Sequence, residues 1–273
     1  MRSVLVTGAS TGIGRATALR LDAAGWKVFA GVRREEDAEA LRQAASERLR
    51  PLMVDVTDAG QIAAAAAAIG DRLDGLVNNA GVAIPSPLET IPIDDFRRQL
   101  EINLTGQVAV TQALLPAIRA ARGRIVFLSS IGGRQAFPFT GAYHAAKFGI
   151  EAVGDVFRQE LRPWGIPVSI VEPGSIDTPI WERGERSVDE IGGAEQREAL
   201  YGKAIAGYRR AIKELAERGI PPEKVAEVIE HALSASRPRT RYLVGLDAKL
   251  QVRLKPWIPT PIFDRIVARM MHL

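Results

Sequence analysis

The sequence predicts an α/β protein built on a doubly wound parallel sheet, and three observations carry that expectation. Short β-branched runs alternate with longer Ala-rich stretches, a glycine-rich turn follows the first run, and the polar groups with chemistry in them fall where runs end. A strand followed by a helix, repeated, builds right-handed crossovers and hence a parallel sheet covered on both faces. With 273 residues and 47% hydrophobic content, the chain suits one large domain over 1–273 better than two small ones.

The elements follow in order. "SVLVTG" leads into "GRATALRLDAAG", "KVFAGV" into "EDAEALRQAASERL" and "RPLMVDV" into "AGQIAAAAAAIG", while "LDGLVNNAG", "GRIVFLSS" and "PVSIVEPG" supply further strands. The run Ala63 to Ala68 reads as a helix packed on the sheet, because Ile62 and Ile69 flank it and alanine has the highest helix propensity. The alternation breaks over 175–222, where Gly192, Gly193 and scattered aromatics read as a small, irregular substrate-loop insertion before "PPEKVAEVIEHAL" resumes a helix. In the tail, 257–273, Ile262, Phe263, Ile266, Val267, Met270 and Met271 lie along one helical face with Arg265 and Arg269 beside it. Packing on the body or on a subunit partner, contact with a membrane surface, and a frayed end are its three readings.

Composition narrows the chemistry. There is no cysteine and only three dispersed histidines, so neither a disulfide nor a zinc site is expected, and the usage is that of a reducing cytoplasm. "MRSVLVTGAS" runs straight into a strand and a glycine turn, without the basic and apolar regions of a signal peptide, and no apolar run has membrane-spanning length. The 36 basic and 32 acidic residues are interspersed, as in "REEDAEALRQAASERLR", which describes solvated helix faces and no nucleic-acid surface.

"TGASTGIG", Thr7 to Gly14, joins the first strand to the first helix. Backbone amides at such a helix start hold a pyrophosphate, and glycines allow its close approach, which marks Gly8, Ser10, Thr11, Gly12, Ile13 and Gly14 as candidate dinucleotide contacts. The alternative is a plain β-to-α turn capped by Ser10 or Thr11. About 20 residues on, an NAD-binding chain carries an acid for the ribose 2′-hydroxyl. Here Arg33 and Arg34 stand at that place. A guanidinium chelates a 2′-phosphate, so NADP(H) is expected over NAD(H). Glu35, Glu36 or Asp37 would serve NAD(H) if the register differs by a few residues.

"GAYHAAKFG" sets Tyr143 and Lys147 four residues apart, on one helix face and about 6 Å apart along the axis. Ala145 and Ala146 between them leave room for a flat ring. An ammonium there favours the phenolate of a phenol that otherwise titrates near ~10, making it an acid/base for an alcohol or carbonyl. Ser130 closes the strand "RIVFLSS" and polarises the same oxygen, and "NNAG", Asn78 to Gly81, ends another strand, so all can converge where parallel sheets bind ligands. His144 points about 100° away from Tyr143 and is expected to face elsewhere. "LSSIGG" lacks the nucleophile elbow of a hydrolase.

With these residues the chain resembles the short-chain dehydrogenase/reductase family: "TGASTGIG", Asp55 in "MVDVTD", "NNAG", Asn103 in "EINLTG", Ser130, "YHAAK" and "PGSIDT" stand in the family's order and spacing. The resemblance implies a Rossmann-type fold with Tyr143 as general acid/base and Ser130 orienting the reacting oxygen. It also implies Lys147 on the nicotinamide ribose and Asn103 holding a relay water. Asp55 and Val56 would then meet the adenine, Asn79, Ala80 and Gly81 the adjoining ribose, and Ile176 and Thr178, after Pro173 and Gly174, the carboxamide end. Read singly, Asp55 is equally a cap on a turn with Thr57, Asn103 a satisfied polar helix residue, and Pro173-Gly174 a strand terminator. The family also implies a homodimer or homotetramer, formed through long helices such as 94–122 and 142–162.

The expectation for function is an NADP(H)-dependent oxidoreductase acting on a lipophilic secondary alcohol or ketone. Ile180, Trp181, Leu200, Tyr201 and Tyr208 are candidate pocket walls. "VFAGVRR", "LRPWGIPVSIVEPG" and "RYLVGLDAK" resemble the retinol and hydroxysteroid dehydrogenase branch of that family. The alternatives are an NAD-dependent alcohol dehydrogenase of the same family and a cofactor-binding regulator without turnover.

Overall fold

The structure, a computed structural model, describes residues 1–180 and 194–271. Its strands are β1 (Ser3–Val6), β2 (Lys27–Val32), β3 (Leu49–Met53), β4 (Gly75–Asn78), β5 (Arg124–Leu128), β6 (Val168–Pro173) and β7 (Arg241–Val244). They form one sheet in the order β3-β2-β1-β4-β5-β6-β7, and every neighbouring pair is parallel. The helices are α1 (Gly12–Ala23), α2 (Glu35–Ala44), α3 (Ala59–Ile69), α4 (Ile93–Leu100), α5 (Gly106–Ala121), α6 (Gly141–Glu160), α7 (Ala194–Glu217), α8 (Pro222–Ser234), α9 (Leu246–Leu254) and α10 (Thr260–Met271).

Side chains that alternate along a strand feed two cores. Val4, Val6, Val28 and Ala30 point to one face, where they meet Leu21 of α1, Leu41 of α2, and Val225 and Ile229 of α8. Leu5, Phe29 and Leu76 point to the other, against Ile62 of α3, Leu114 and Ile118 of α5, and Ile150 of α6. Covered on both sides, β1 and β4 are buried at every residue, as parallel strands at a sheet's centre must be. The alanine run is indeed helix α3, started by Asp58, whose carboxylate accepts from the Gln61 amide, and buried through Ile62, Ala65 and Ile69.

Strand order reverses at β1 and β4, and the crossovers therefore part there, opening a crevice above the carboxyl ends of the strands. The turn after β1 is locked beneath it. Gly8 and Gly12 have φ of 64° and 53°. A Cβ on Gly14 would lie 2.1 Å from the Gly8 carbonyl oxygen. Asn79, at the end of β4, donates through Nδ2 to the carbonyls of Thr7 at 2.8 Å and Gly8 at 3.1 Å.

Two expectations change. The stretch read as irregular over 175–222 contains the 24-residue helix α7, because Ala204, Tyr208 and Ile212 recur at four-residue spacing and bury together against Phe139, Val267 and Met271. Gly192, Gly193 and Trp181 lie outside the described residues. The single apolar face of the tail divides: Val267 and Met271 pack into that third cluster with Phe263 at its margin, whereas Ile262, Ile266 and Met270 face solvent. Packing on the body is thus the arrangement of α10. Among the described residues no helix is long and apolar enough to cross a membrane.

Gly14→Ala forces α1 and the Gly8 carbonyl apart. It is expected to cost at least about 1–3 kcal/mol, the usual range for overpacking, in a denaturant titration. An unchanged midpoint would contradict the close approach.

Candidate active site

A cavity of about 540 Å³ opens in the crevice. Gly8, Ser10, Thr11, Gly12, Ile13 and Gly14 line one end, and Asn79, Ala80 and Gly81 its middle. Asn103, Ser130, Tyr143 and Lys147 line the other end, with Pro173, Gly174, Ile176 and Thr178 as the facing wall. One cleft therefore gathers most of the polar groups singled out in the sequence.

Its glycine end suits a pyrophosphate. Thr11 occupies the N-cap position of α1, yet neither it nor a neighbour caps the helix through a side chain, so the first-turn amides are left facing the cleft. The plain capped turn is therefore not what forms. A Cβ on Gly8 would meet the Ala80 Cα at 2.8 Å, and one on Gly12 the Thr178 Cγ2 at 3.1 Å, so the cradle is as narrow as a backbone-bound ligand needs.

Beyond it, Arg33 lines both this cavity and an adjoining one of about 670 Å³, in company with Asp55, Thr57 and Arg98. Arg34 does not take part. Its Nε lies 3.0 Å from Asp37 Oδ2 and its Nη1 2.6 Å from Glu36 Oε1. That pairing also occupies two of the three acids that could have served NAD(H). Arg33 and Arg98 have no ion pair among the described residues, although Arg97 beside the latter is held by Asp94 at 3.0 Å. Asp55 does cap its turn, accepting from the Thr57 amide at 3.0 Å and the Thr57 hydroxyl at 2.7 Å. Burial works to raise its carboxyl, but the bonds from Thr57, with Arg33 and Arg98 farther off, hold it below the usual range. Val56 is packed in the core and lines neither cavity.

At the other end, α6 turns Tyr143 and Lys147 inward on its buried face. The Lys147 ammonium donates to the carbonyl of Leu128, the last residue of β5, at 2.7 Å and stands 5.6 Å from the centre of the Tyr143 ring. Burial pushes it down to about 8, against the pull of Glu151. Burial likewise raises the Tyr143 phenol, and a hydrogen bond with Ser130 works the other way. Here the sequence expectation is corrected: within the protein itself, desolvation outweighs any help from Lys147, whose charge is directed at a carbonyl. Ser130 Oγ accepts from the Gly132 amide at 3.0 Å, which fixes the hydroxyl at the head of its turn.

His144 faces away from the cleft, as expected. Its Nδ1 bonds the Gly132 carbonyl at 2.8 Å and its Nε2 receives the Phe137 amide at 3.0 Å. Asn103 lies in a single π turn, Glu101–Thr105, between α4 and α5, a local irregularity common at functional sites. Its amide is doubly matched to the Val82 backbone, Oδ1 at 2.9 Å and Nδ2 at 2.8 Å. Of the candidate pocket walls, Ile180 lines the cleft, Tyr201 and Tyr208 pack edge-on against Phe139, and Leu200 is exposed. Sequence reasoning missed Val82, Ala83, Ile84 and Ile102 as apolar lining, and Asp95 and Arg98 on α4. Arg98 had no local signal, since only the tertiary fold carries α4 to the cleft. Among the described residues no group of acids and histidines has the form of a metal site.

The chain is similar to known proteins in sequence and fold. The family described as short chain dehydrogenase matches residues 2–188. Human 17-beta-hydroxysteroid dehydrogenase type 6 is 38% identical, over 97% of this chain and 87% of its own. Human retinol dehydrogenase 16 is 39% identical with the same coverage. A short-chain dehydrogenase from Streptomyces avermitilis superposes with a TM-score of 0.75 at 31% identity, over 94% of this chain and 95% of that one. One from Burkholderia cenocepacia, solved in complex with NADP, shares the fold at a TM-score of 0.74 and 23% identity, over 99% of each chain. The chain thus belongs to the short-chain dehydrogenase/reductase family and is an NAD(P)(H)-dependent oxidoreductase.

Proposed function

We propose that this oxidoreductase uses NADP(H) and interconverts a lipophilic secondary alcohol and its ketone, of steroid or retinoid size. The observation that carries the reading is the convergence of Ser130, Tyr143 and Lys147 on one cleft whose far end presents Arg33, which makes no ion pair among the described residues. Val82, Ala83, Ile84, Ile102 and Ile180 give that cleft an apolar wall, and the relatives named above are hydroxysteroid and retinol dehydrogenases.

In this reading the amides of the first turn of α1 hold the pyrophosphate, and Arg33, with Arg98 across the adjoining cavity, holds the 2′-phosphate. Ile176 and Thr178 flank the carboxamide. The bound dinucleotide supplies or accepts the hydride. Tyr143 exchanges the proton with the substrate oxygen, Ser130 orients that oxygen, and Lys147 anchors the ribose while its charge favours the phenolate. Asn103, already matched to Val82, keeps the backbone of that wall fixed and presents a place for a relay water. The assembly is a homodimer or homotetramer formed through α5 and α6, where Phe148 and Val156 remain exposed.

Nicotinamide absorbance with steroid, retinoid and smaller alcohols, using both dinucleotides, tests the reading. Turnover is expected with NADP over NAD. Tyr143→Phe should lose about 10²–10⁴-fold, the usual share of general acid–base catalysis, while still binding dinucleotide. Arg33→Ala should weaken NADP alone. A preference for NAD removes Arg33 from its role, and full activity of Tyr143→Phe removes the mechanism.

Burial of Lys147 has its own signature. Its value of about 8 lies below the ordinary 10.5, so the unfolded chain binds this proton more tightly. Folding is therefore opposed while the group is charged in both states, and that opposition is relieved as pH rises from about 8 toward 10.5. Lys147→Met escapes it. Whatever the lost Leu128 bond costs, the stability difference between variant and unmodified protein should shift by about 2–3 kcal/mol toward the unmodified protein between pH 7 and 10. Denaturant titrations at both values that show a constant difference would contradict the buried charge.

A further inference from the structure

Behind the cleft, four charged side chains from four elements meet. Arg134, just after the Ser130 turn, places Nη2 2.7 Å and Nε 3.1 Å from Glu172 Oε1 in β6. Arg241, opening β7, sets Nε 3.2 Å from the same oxygen and 3.1 Å from Glu151 Oε2 in α6. Arg134 Nε also lies 3.8 Å from Glu151, and Arg241 Nη2 reaches Asp155 Oδ2 at 2.6 Å. Both glutamates are buried, Glu172 to 1% exposure.

None of the four lines the cleft, yet each is tied closely to something that does. Arg134 stands four residues after Ser130. Glu151 stands four after Lys147 and eight after Tyr143, on the same buried face of α6. Glu172 directly precedes Pro173 and Gly174. Two buried carboxylates held by two partly exposed guanidiniums are a poor route to stability, because desolvating the carboxylates offsets the attraction and an apolar cluster would serve as well. Burial pushes the Glu151 carboxyl up, with the Glu172 charge adding to it, against the pull of Ser129 and of the two guanidiniums. What the arrangement does provide is direction: planar forks with fixed hydrogen-bond angles join the Ser130 turn, α6 and the end of β6.

We propose that the Arg134–Glu172–Arg241–Glu151 cage is the positioning device of the active site, setting the distance of Ser130 from Tyr143 and Lys147 and turning Glu151 toward the ammonium. It rests on the oxidoreductase reading above. Glu151 faces Lys147 and Asp155 on its own helix, Arg134 on the Ser130 turn, Glu172 on β6 and Arg241 on β7.

The test uses the full chain with Glu172→Gln and Glu151→Gln, and Asp22→Asn as control. Asp22 is a buried carboxylate of the same kind, bonded to Ser46 and lying 3.6 Å from Arg48, at the end of α1 remote from the cleft. Thermal midpoint, NADPH affinity by nicotinamide fluorescence, and kcat against pH are read for each. Both cage variants should lose kcat on the order of tenfold, as misplacement of reacting groups does, with NADPH affinity held within about twofold. Glu151→Gln should also move the alkaline limb of kcat to lower pH, since the carboxylate supporting the charged Lys147 is gone. Asp22→Asn should lower the midpoint and leave kcat alone. Should Glu172→Gln not fold, Arg134→Lys, which keeps the charge and loses the fork, should show the same loss of kcat. Cage variants that melt early like the control but keep kcat and its pH profile overturn the proposal, with Tyr143→Phe inactive in the same assay. An unmodified protein without turnover, or an active Tyr143→Phe, overturns the oxidoreductase reading and the cage with it.

Discussion

A single hydrogen bond organises the reactive end of this molecule: the Lys147 ammonium held by the Leu128 carbonyl where β5 stops. It couples the buried face of α6 to the carboxyl edge of the sheet. A charge so placed would be costly to desolvate alone, and the chain meets that cost with the Leu128 carbonyl, the Tyr143 ring and the charge of Glu151, one turn farther along α6. Because the tether runs to main chain, its position is set by the sheet and not by a neighbouring side chain's rotamer. Tyr143, one turn earlier, inherits its depth from that tether, and Ser130, two residues beyond Leu128, inherits its reach.

The rest of the fold can be read as support for that edge. Seven parallel strands bring their carboxyl ends to one side, and the reversal of order at β1 and β4 leaves a crevice there. Asn79 welds the glycine turn to β4, His144 pins the Ser130 turn to α6, and Asn103 pins the Val82 wall to the π turn. Each is a polar side chain matched to backbone groups, buried in His144 and Asn103 and half-buried in Asn79, which fixes orientation better than apolar contact does. In the proposed reading, main chain thus meets the dinucleotide phosphate at one end of the cleft, and side chains pinned to main chain meet the reacting oxygen at the other.

Much of this was legible in the sequence because the signals were local. The strand runs, the glycine turn, the Tyr143 and Lys147 spacing and the strand-end Ser130 depend on neighbours within a few residues. Other features depend on tertiary placement and left no such trace. Arg33 and Arg34 are indistinguishable in the sequence, and only the ion pairs of Arg34 with Glu36 and Asp37 separate them. Helix α7 shows only at the four-residue spacing that buries Tyr208 and Ile212, which no single aromatic in the stretch reveals. The direction of the Tyr143 shift is not legible in the sequence for a further reason: spacing reveals a nearby charge, but burial, which opposes it, belongs to the folded state alone.

That last point sharpens the central claim. Within the protein itself the phenol is harder to ionise than free tyrosine, so the proposed chemistry requires that the docked, positively charged nicotinamide, beside Lys147, reverse the balance. The direct measurement is an ultraviolet titration of tyrosinate, taken as the difference between unmodified protein and Tyr143→Phe, with and without NADP. The account predicts a phenol that ionises above ~10 in the protein alone and clearly below it with NADP bound. A Tyr143 signal that stays at or above ~10 with NADP bound would contradict it.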